Sequence, residues 1–350
     1  MWLTGGSIAV SDRAGAVSPD YRVFRLGSDV EPRFLHHLLR SAPYVEQYRL
    51  FARADTTFDR RIQQGDIDNL ALAVPPLEEQ RRIADFLDDH VSRVDAVVAA
   101  RARQAALADV AFECVVLDAI RGRDVDGGTR PSGLRWLGPV PASWSVLPVS
   151  SQFDTVLGKM LDERQQTGTH PLPYLRNTNV QWDRIDTDDL KIMDIAPSEY
   201  GRCTIRAGDL LICEGGQPGR AAIWDGSVVL MGFQKALHRA RSRGRSEPRW
   251  LLHCLRAAVA INAFAGENGV TTIGHLTGEQ LRAQRFPFPE PEVQRRLVAE
   301  IDGAMAERDR LKAALARSAT LLTEYKQSLT TAAVTGQFDV TTASTRSVPA

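Results

Sequence analysis

Apolar residues recur along this chain at two spacings, and the change from one spacing to the other marks out its elements. From residue 77 to about 122, Ile83, Leu87, Val91, Val94, Val98, Ala105, Ala108, Phe112, Val115 and Ala119 follow one another at steps of three, four or seven, with no Gly or Pro between them. This is the stripe of a long helix with a coiled-coil seam, interrupted by the polar Arg101. Roughly 45 residues at 1.5 Å each reach about 65 Å. A domain core rarely uses a helix that long, so a spacer is expected. A second run, from 290 to about 335, sets Leu297, Ile301, Ala304, Leu311, Leu315, Leu322, Tyr325, Leu329 and Ala332 on one side and stops at Gly336. Apolar residues off the first stripe, Phe86, Val97, Val110 and Val116, point to a further packing partner, either other subunits or the chain's own globular parts.

Elsewhere the spacing shortens. Residues 21–26 alternate as a strand does, and residues 146–149, 174–180, 221–224 and 228–231 are expected strands. Residues 209–213, Asp209 followed by the apolar Leu210-Leu211-Ile212-Cys213, have the pattern of a buried strand. Residues 34–51 and 248–264 have the pattern of amphipathic helices, and Ile67, Leu70, Leu72 and Val74 lead into the first long helix.

Both long helices begin with the same words. Val74-Pro75-Pro76-Leu77-Glu78-Glu79-Gln80-Arg81-Arg82-Ile83 returns as Phe288-Pro289-Glu290-Pro291-Glu292-Val293-Gln294-Arg295-Arg296-Leu297, an offset of 214 (294 less 80). Proline ends the extended segment, and the acidic residues that follow suit a helix N-terminus. Upstream, Glu31-Pro32-Arg33-Phe34-Leu35-His36-His37-Leu38-Leu39-Arg40 matches Glu247-Pro248-Arg249-Trp250-Leu251-Leu252-His253-Cys254-Leu255-Arg256 at an offset of 216 (247 less 31). A period this long excludes a solenoid and implies two tandem domains of one fold.

A chain of 350 residues suffices for about two such cores. No apolar run is long enough to span a bilayer, and Met1-Trp2-Leu3-Thr4-Gly5-Gly6 lacks the pattern of a signal peptide. Cys114, Cys203, Cys213 and Cys254 form no close metal-ligand pair, and a reducing cytoplasm is the expected location. The net charge of zero argues against an unstructured polybasic binder and leaves room for a local basic surface. There is no Asn/Asp-Pro-Pro-aromatic run of a DNA adenine methyltransferase, since Pro171-Leu172-Pro173-Tyr174 lacks it. There is no phosphate-cradling GxxxxGK[ST] loop either. His36-His37 is a weak metal candidate on an amphipathic helix.

The repeated junctions, together with Trp136-Leu137-Gly138-Pro139-Val140-Pro141-Ala142-Ser143-Trp144 and the run from Leu321-Leu322-Thr323-Glu324-Tyr325 to Gly336, resemble the specificity subunit of Type I restriction-modification systems over nearly the whole chain. The resemblance implies an α/β (α+β) protein. Two tandem target-recognition domains would each be followed by a long helix, and the helices would pair as an antiparallel coiled coil. The matching boundaries are a truncated first target-recognition domain at 1–74, a spacer helix at 75–122 and a linker at 123–137. A second recognition domain at 138–288, a spacer helix at 289–336 and a disordered tail at 337–350 complete the chain. Gly5-Gly6 takes the place of Gly215-Gly216, so nothing ahead of it corresponds to roughly residues 138–210.

The resemblance further implies a non-catalytic subunit that recognises a bipartite double-stranded DNA target. It would dock two methyltransferase subunits and, through the complex, a restriction/translocase subunit, with no membrane involved. The chain itself would carry no cofactor; S-adenosylmethionine and ATP with magnesium would belong to the partner subunits. Two alternatives stay open: an incomplete half-site subunit that dimerises, and a coiled-coil scaffold without DNA binding.

Residue chemistry then selects contact candidates. Gly216 and Arg220 lie in a glycine-bearing loop whose N–H groups suit phosphate, with an ordinary turn as the equal alternative. Arg176, Asn177 and Asn179 are of the types that pair with base edges, though a structural role for either Asn is as good a reading. Lys235 ends a strand. Thr271, Thr272 and His275 lie in a polar loop ahead of the second junction, with Thr57, Arg60 and Arg61 as its counterpart ahead of the first. The run Arg239, Arg241, Arg243, Arg245 and Arg249 is better explained as a solvated loop than as a phosphate site.

Overall fold

The structure is a computed structural model that describes residues 7–18, 21–51, 53–54, 60–62, 64–161, 167–264 and 275–342. It divides into two compact units, residues 1–107 with 311–350, and residues 108–310. Among the described residues, no helix is long and apolar enough to cross a membrane.

The two stripes form helices at Leu77–Arg121 and Pro291–Val334. Each helix is divided between the units. In the first unit, Ile83, Ala84 and Leu87 near the start of one share a core with Ala333 and Val334 at the end of the other. In the second unit, Phe112, Val116 and Ile120 at the end of the first share a core with Leu297 and Ile301 at the start of the second. The pair is therefore antiparallel. The stripe itself needs correction. Beyond Phe112 the buried positions are Val116 and Ile120, while Val115 is exposed, as are Leu311 and Tyr325. Steps of four follow the 3.6-residue turn, and here they face a globular core instead of a coiled-coil seam.

The first long helix ends where Gly122 takes a φ of +67°. Gly122 N–H donates to Ala119 O at 3.1 Å and Arg123 N–H to Asp118 O at 3.2 Å, a Schellman cap. A Cβ on Gly122 would stand 2.5 Å from Pro141 Cγ, so only glycine fits there.

The second unit contains two four-stranded sheets. In one, the order is Ala221–Ile223, Leu210–Cys213, Leu237–Ser242, Phe153–Leu157, all antiparallel. In the other, it is Lys191–Asp194, Pro171–Leu175, Met231–Phe233, Thr204–Ile205, with the central pair parallel. The strand Leu210–Cys213 is buried on both faces. Leu210 and Ile212 join the core under the helix Pro248–Ala260, and Leu211 and Cys213 join the core with Phe233 and Trp224. The strand Arg285–Phe288 pairs with Ser145–Pro148.

The first unit has far less sheet. Its described strands are Arg53–Ala54 and Arg60–Arg61, two residues each. Residues 21–26, expected as a strand, are exposed and pair with no strand among the described residues. The helix expected over 34–51 breaks at Ser41 into Pro32–Arg40 and Ala42–Phe51. Pro43 causes the break, because it has no N–H to continue the helix and its ring would clash with the carbonyl four residues back, whereas the first turn of a new helix accepts it. The strand expected at 174–180 stops at Leu175, where a turn begins. The polar tail also departs from expectation. Phe338 N–H donates to Ala332 O at 3.0 Å and its ring lies 5.6 Å from Phe86, so residues 337–342 are folded back. Residues 343–350 lie outside the described residues.

The two proline junctions close in the same way. Gln80 is buried; its amide donates to Pro75 O at 2.8 Å and Asp29 O at 3.0 Å, and its carbonyl accepts from Glu31 N–H at 2.8 Å. Gln294 is buried; its amide donates to Pro289 O at 2.7 Å, and its carbonyl accepts from Glu247 N–H at 2.9 Å. Each glutamine thus satisfies the first residue of the upstream helix and the end of the extended segment together. About two turns further on, Asp88 accepts from Arg33 at 3.1 Å and contacts His37 at 2.8 Å. Asp302 accepts from Arg249 at 2.6 Å and contacts His253 at 3.3 Å. These contacts account for the repeated words.

Candidate nucleic-acid interface

In the second unit, five separate stretches meet beyond the ends of the central strands. The loop 214–220 is turned by Gly216, whose φ is +76°. Gly215 bridges His275, and Leu276 N–H donates to Glu214 O at 2.6 Å. Glu214 N–H donates to Ala236 O at 2.9 Å, which brings in Lys235, and Lys235 N–H donates to Lys159 O at 2.9 Å. Gln234 N–H donates to Leu175 O at 2.9 Å, which sets the turn at Arg176 and Asn177 alongside. Arg220 donates to Asn177 O at 2.9 Å. Buried His238 contacts Leu276 O at 2.8 Å, and burial lowers its pKa, so it anchors the segment as a neutral ring.

The cations on this edge differ in what they have free. Lys235 is exposed and has no carboxylate partner among the described residues. Arg220 pairs with a carbonyl, and its Nε is buried without a partner in the structure. Burial pushes the neighbouring Cys213 thiol up, so it is an inert packing group. Arg176 donates to the Asp189 carboxylate at 2.8 Å, and that pairing holds Asp189 below the usual carboxylate range. Lys159 pairs with Glu199, whose pKa it lowers. Apart from the glycine before it, nothing in the pattern around Lys159 marks it as a contact residue in the sequence. Its one signal is Gly158, where a Cβ would come 2.3 Å from Gln234 O, so glycine allows the two chains to touch.

Several candidates need revision. Asn179 is a correction: it is buried, its oxygen accepts from Arg176 N–H at 3.0 Å and its amide donates to Asp186 O at 3.0 Å. It shapes the turn and has no edge to offer a base. The arginine run is also corrected. Arg239 is buried and donates to the carbonyls of Gly201 and Thr204. Arg241 forks onto Asp209 at 2.7 and 2.6 Å, and Arg249 forks onto Asp183 at 2.7 and 2.8 Å. Alternation along the strand Leu237–Ser242 turns Arg239 and Arg241 to one face, and Arg249 stands in the first turn of the helix Pro248–Ala260. His36 and His37 bond Arg40 and Asp88, respectively, and form no metal pair. Thr57, Thr271 and Thr272 lie outside the described residues, as do the side chains of Arg60 and Arg61, whose backbone forms a short strand.

Residues 6–100 match the family described as Type I restriction modification DNA specificity domain. The chain is also similar to the specificity subunit of the Type I restriction enzyme EcoKI of Escherichia coli K12, 22% identical over 325 residues that cover 87% of this chain. The family match covers residues 6–100, and the likeness to a specificity subunit extends over most of the chain. The chain spans 65% of the length of that E. coli subunit. Two solved structures share the fold. One, reported for complex assembly and conformational transition of the type I R-M system, has a TM-score of 0.69 at 23% identity, over 89% of this chain and 72% of the other. The HsdS subunit from Thermoanaerobacter tengcongensis has a TM-score of 0.55 at 23% identity, over 89% and 71%. These likenesses extend over most of the chain and concern its fold.

Proposed function

We propose that this chain is a specificity subunit that reads DNA through the strand-end edge of its second unit. The observation that carries this is the convergence of Lys235, Arg220, Asn177, the exposed Gly216 and the exposed His275 from separate stretches onto one edge. Exposed cations supply sequence-independent attraction to phosphate, and amide and imidazole groups supply base-edge bonds. Arg176 joins this set when DNA competes for it with the exposed Asp189. Thr271 and Thr272 lie four and three residues ahead of His275 in the sequence, and Thr57, Arg60 and Arg61 are their sequence counterparts ahead of the first junction.

In this reading the subunit carries no catalytic centre, acts in the cytoplasm, and recognises one part of a bipartite target with each unit. The long helices receive two methyltransferase subunits and, through the complex, a restriction/translocase subunit. Apolar side chains left exposed on these helices, among them Leu107, Val110, Leu321 and Tyr325, support a protein partner there. S-adenosylmethionine and ATP with magnesium then act in the partners. A half-site subunit that dimerises is the second reading, favoured by the scarcity of sheet in the first unit. Size measurement on DNA separates the two.

The test is selection from randomised duplexes by the chain in complex with a methyltransferase subunit. A recovered sequence preference is expected, with binding that weakens steeply with salt. Lys235→Ala should reduce the salt slope by about 0.9, one phosphate's share. Absence of any preference overturns the reading.

A further inference from the structure

The second unit holds a cavity of about 560 Å³, within the range of about 300–1,000 Å³ usual for small-molecule sites. Its walls come from the helix Pro248–Ala260, the turn at Asp183, the loop 214–220 and those parts of the two long helices that belong to this unit. Most charges on these walls are matched. Arg308 pairs with Asp309 at 2.7 Å, Arg184 meets Asp186 at 3.8 Å, and Asp183 takes both prongs of Arg249. Two groups are left over. Arg256 is only 6% exposed, yet among the described residues its one hydrogen-bond acceptor is Met305 Sδ at 3.6 Å, and no carboxylate pairs with it. Its guanidinium lies 5.3 Å from the centre of the Phe112 ring and 5.4 Å from that of Trp182. Rings offset part of the cost of burying a cation but take none of its in-plane N–H groups. Glu113 Oε2 is buried with no hydrogen-bond partner among the described residues. Burial raises the Glu113 pKa against the pull of Arg256 and Arg308, so the neutral acid is favoured.

The duplication shows how this arginine came to lack an acceptor. At the offset of 216, Arg256 corresponds to Arg40 and Leu252 to His36. In the first unit Arg40 donates to His36 Nε2 at 3.0 Å, and burial lowers the His36 pKa, which keeps that ring neutral and able to accept. Leucine removes the acceptor from the second unit. At the offset of 214, Glu113 corresponds to Gln327, whose amide donates as a protonated carboxyl does. Both places therefore set an arginine beside a neutral donor, and only the second has no acceptor of its own. A buried cation without an acceptor is costly to keep, and a carboxylate offers two parallel oxygens to its planar fork. The same walls carry Asp183, Asp309 and Glu113, so a single negative charge fits better than a phosphate dianion. Trp182, Val259, Ala260 and Met305 supply apolar wall beyond the charged end.

We propose that this cavity binds a small organic carboxylate, with its charged end on the Arg256 guanidinium beside Glu113 and its apolar body against Trp182, Val259 and Met305. The ligand supplies the acceptor that His36 supplies in the first unit. Glu113, as the neutral acid, donates to the bound carboxylate and gains the partner that its Oε2 lacks. The inference rests on the cavity and is independent of DNA binding.

Phenylacetate is the probe, titrated into the full chain in a buffer free of other carboxylates and followed by calorimetry and by urea unfolding. Saturable binding that raises the urea midpoint is expected, with inorganic phosphate at equal ionic strength binding more weakly. Arg256→Met keeps the length of the side chain and removes its charge, and it should weaken phenylacetate binding by about tenfold or more. Without the probe, its urea midpoint should hold or rise, because an unpaired buried cation has been replaced by an apolar group. Arg256→Lys keeps the charge and gives up the planar fork; it should also lose affinity, and it replaces the methionine variant if that one does not fold. Glu113→Gln keeps a donor, as Gln327 does, and should retain binding. No saturable binding of phenylacetate overturns the proposal, as does phosphate binding equally well or undiminished binding by both Arg256 variants.

Discussion

The two units use one lock in two settings. In the first, Arg33 meets Asp88 at a surface: both side chains are 43% exposed, and Arg33 is shared with the exposed Asp85. In the second, the corresponding Arg249 is divided between Asp302 and Asp183, and His253 beside it is fully buried. Asp183 lies in the turn between the paired strands Val180–Gln181 and Arg184–Ile185, which has no counterpart among the described residues of the first unit. The comparison teaches that a repeated motif specifies partners, while the elements stacked over it set how much each contact weighs.

The largest expected contrast is between Arg249→Ala and Arg33→Ala. Removing Arg249 leaves two part-buried carboxylates without their cation and should cost about 2–3 kcal/mol in urea unfolding of the second unit. Removing Arg33 breaks exposed pairs and should cost no more than about 1 kcal/mol. Equal losses would break the comparison. Trp136, Trp144, Trp182, Trp224 and Trp250, five of the six tryptophans, lie in the second unit, so their emission follows it.

The glutamines should differ less. Both glutamines are buried; Gln294→Ala strands Glu247 N–H and Pro289 O, Gln80→Ala strands Glu31 N–H, Asp29 O and Pro75 O, and each should lose about 1–2 kcal/mol. Exchange rates at the amides of Glu247 and Glu31 would read the two locks separately.

Acid should sharpen the contrast through a smaller effect. Burial holds His238 and His253 below the ordinary histidine value. Folding therefore favours their neutral forms, and that stability is complete above the unfolded value of about 6.5 and lost as pH falls through the folded values. Burial alone would raise Asp302, but hydrogen bonds from His253 and Arg249 outweigh it and hold its pKa at about 2. Its contribution is present above the unfolded value of about 4 and lost as pH falls towards 2. In the first unit, burial depresses His36. Urea midpoints followed by tryptophan emission should fall in two steps between pH 7 and pH 2, and a midpoint that rises on acidification would contradict the assigned directions.

Much of this was legible in the residues. The helices Leu77–Arg121 and Pro291–Val334 fall within a residue or two of the periodic runs, because a helix of that length repeats its signal over a dozen turns. The strand Leu210–Cys213 showed in its unbroken apolar run. Residues 21–26 misled because alternation describes a strand's two faces and is silent about whether a neighbour exists to pair with it. The arginine run misled for a related reason: Arg239 and Arg241 look solvated in one dimension, and only the stacking of the second sheet shows that carbonyls and Asp209 await them.

By itself, then, the sequence determined the local matters: where helices start and stop, the antiparallel-capable stripes, and the duplication with its two glutamines. Those depend on neighbours three to seven residues away or on direct repetition. Tertiary structure alone decided which Asn is spent on a turn, which arginines face inward, and that Lys159, Lys235, Arg220 and His275 share an edge. Such pairings join residues tens to more than a hundred positions apart, and no periodic signal records a contact made only when sheets close over one another.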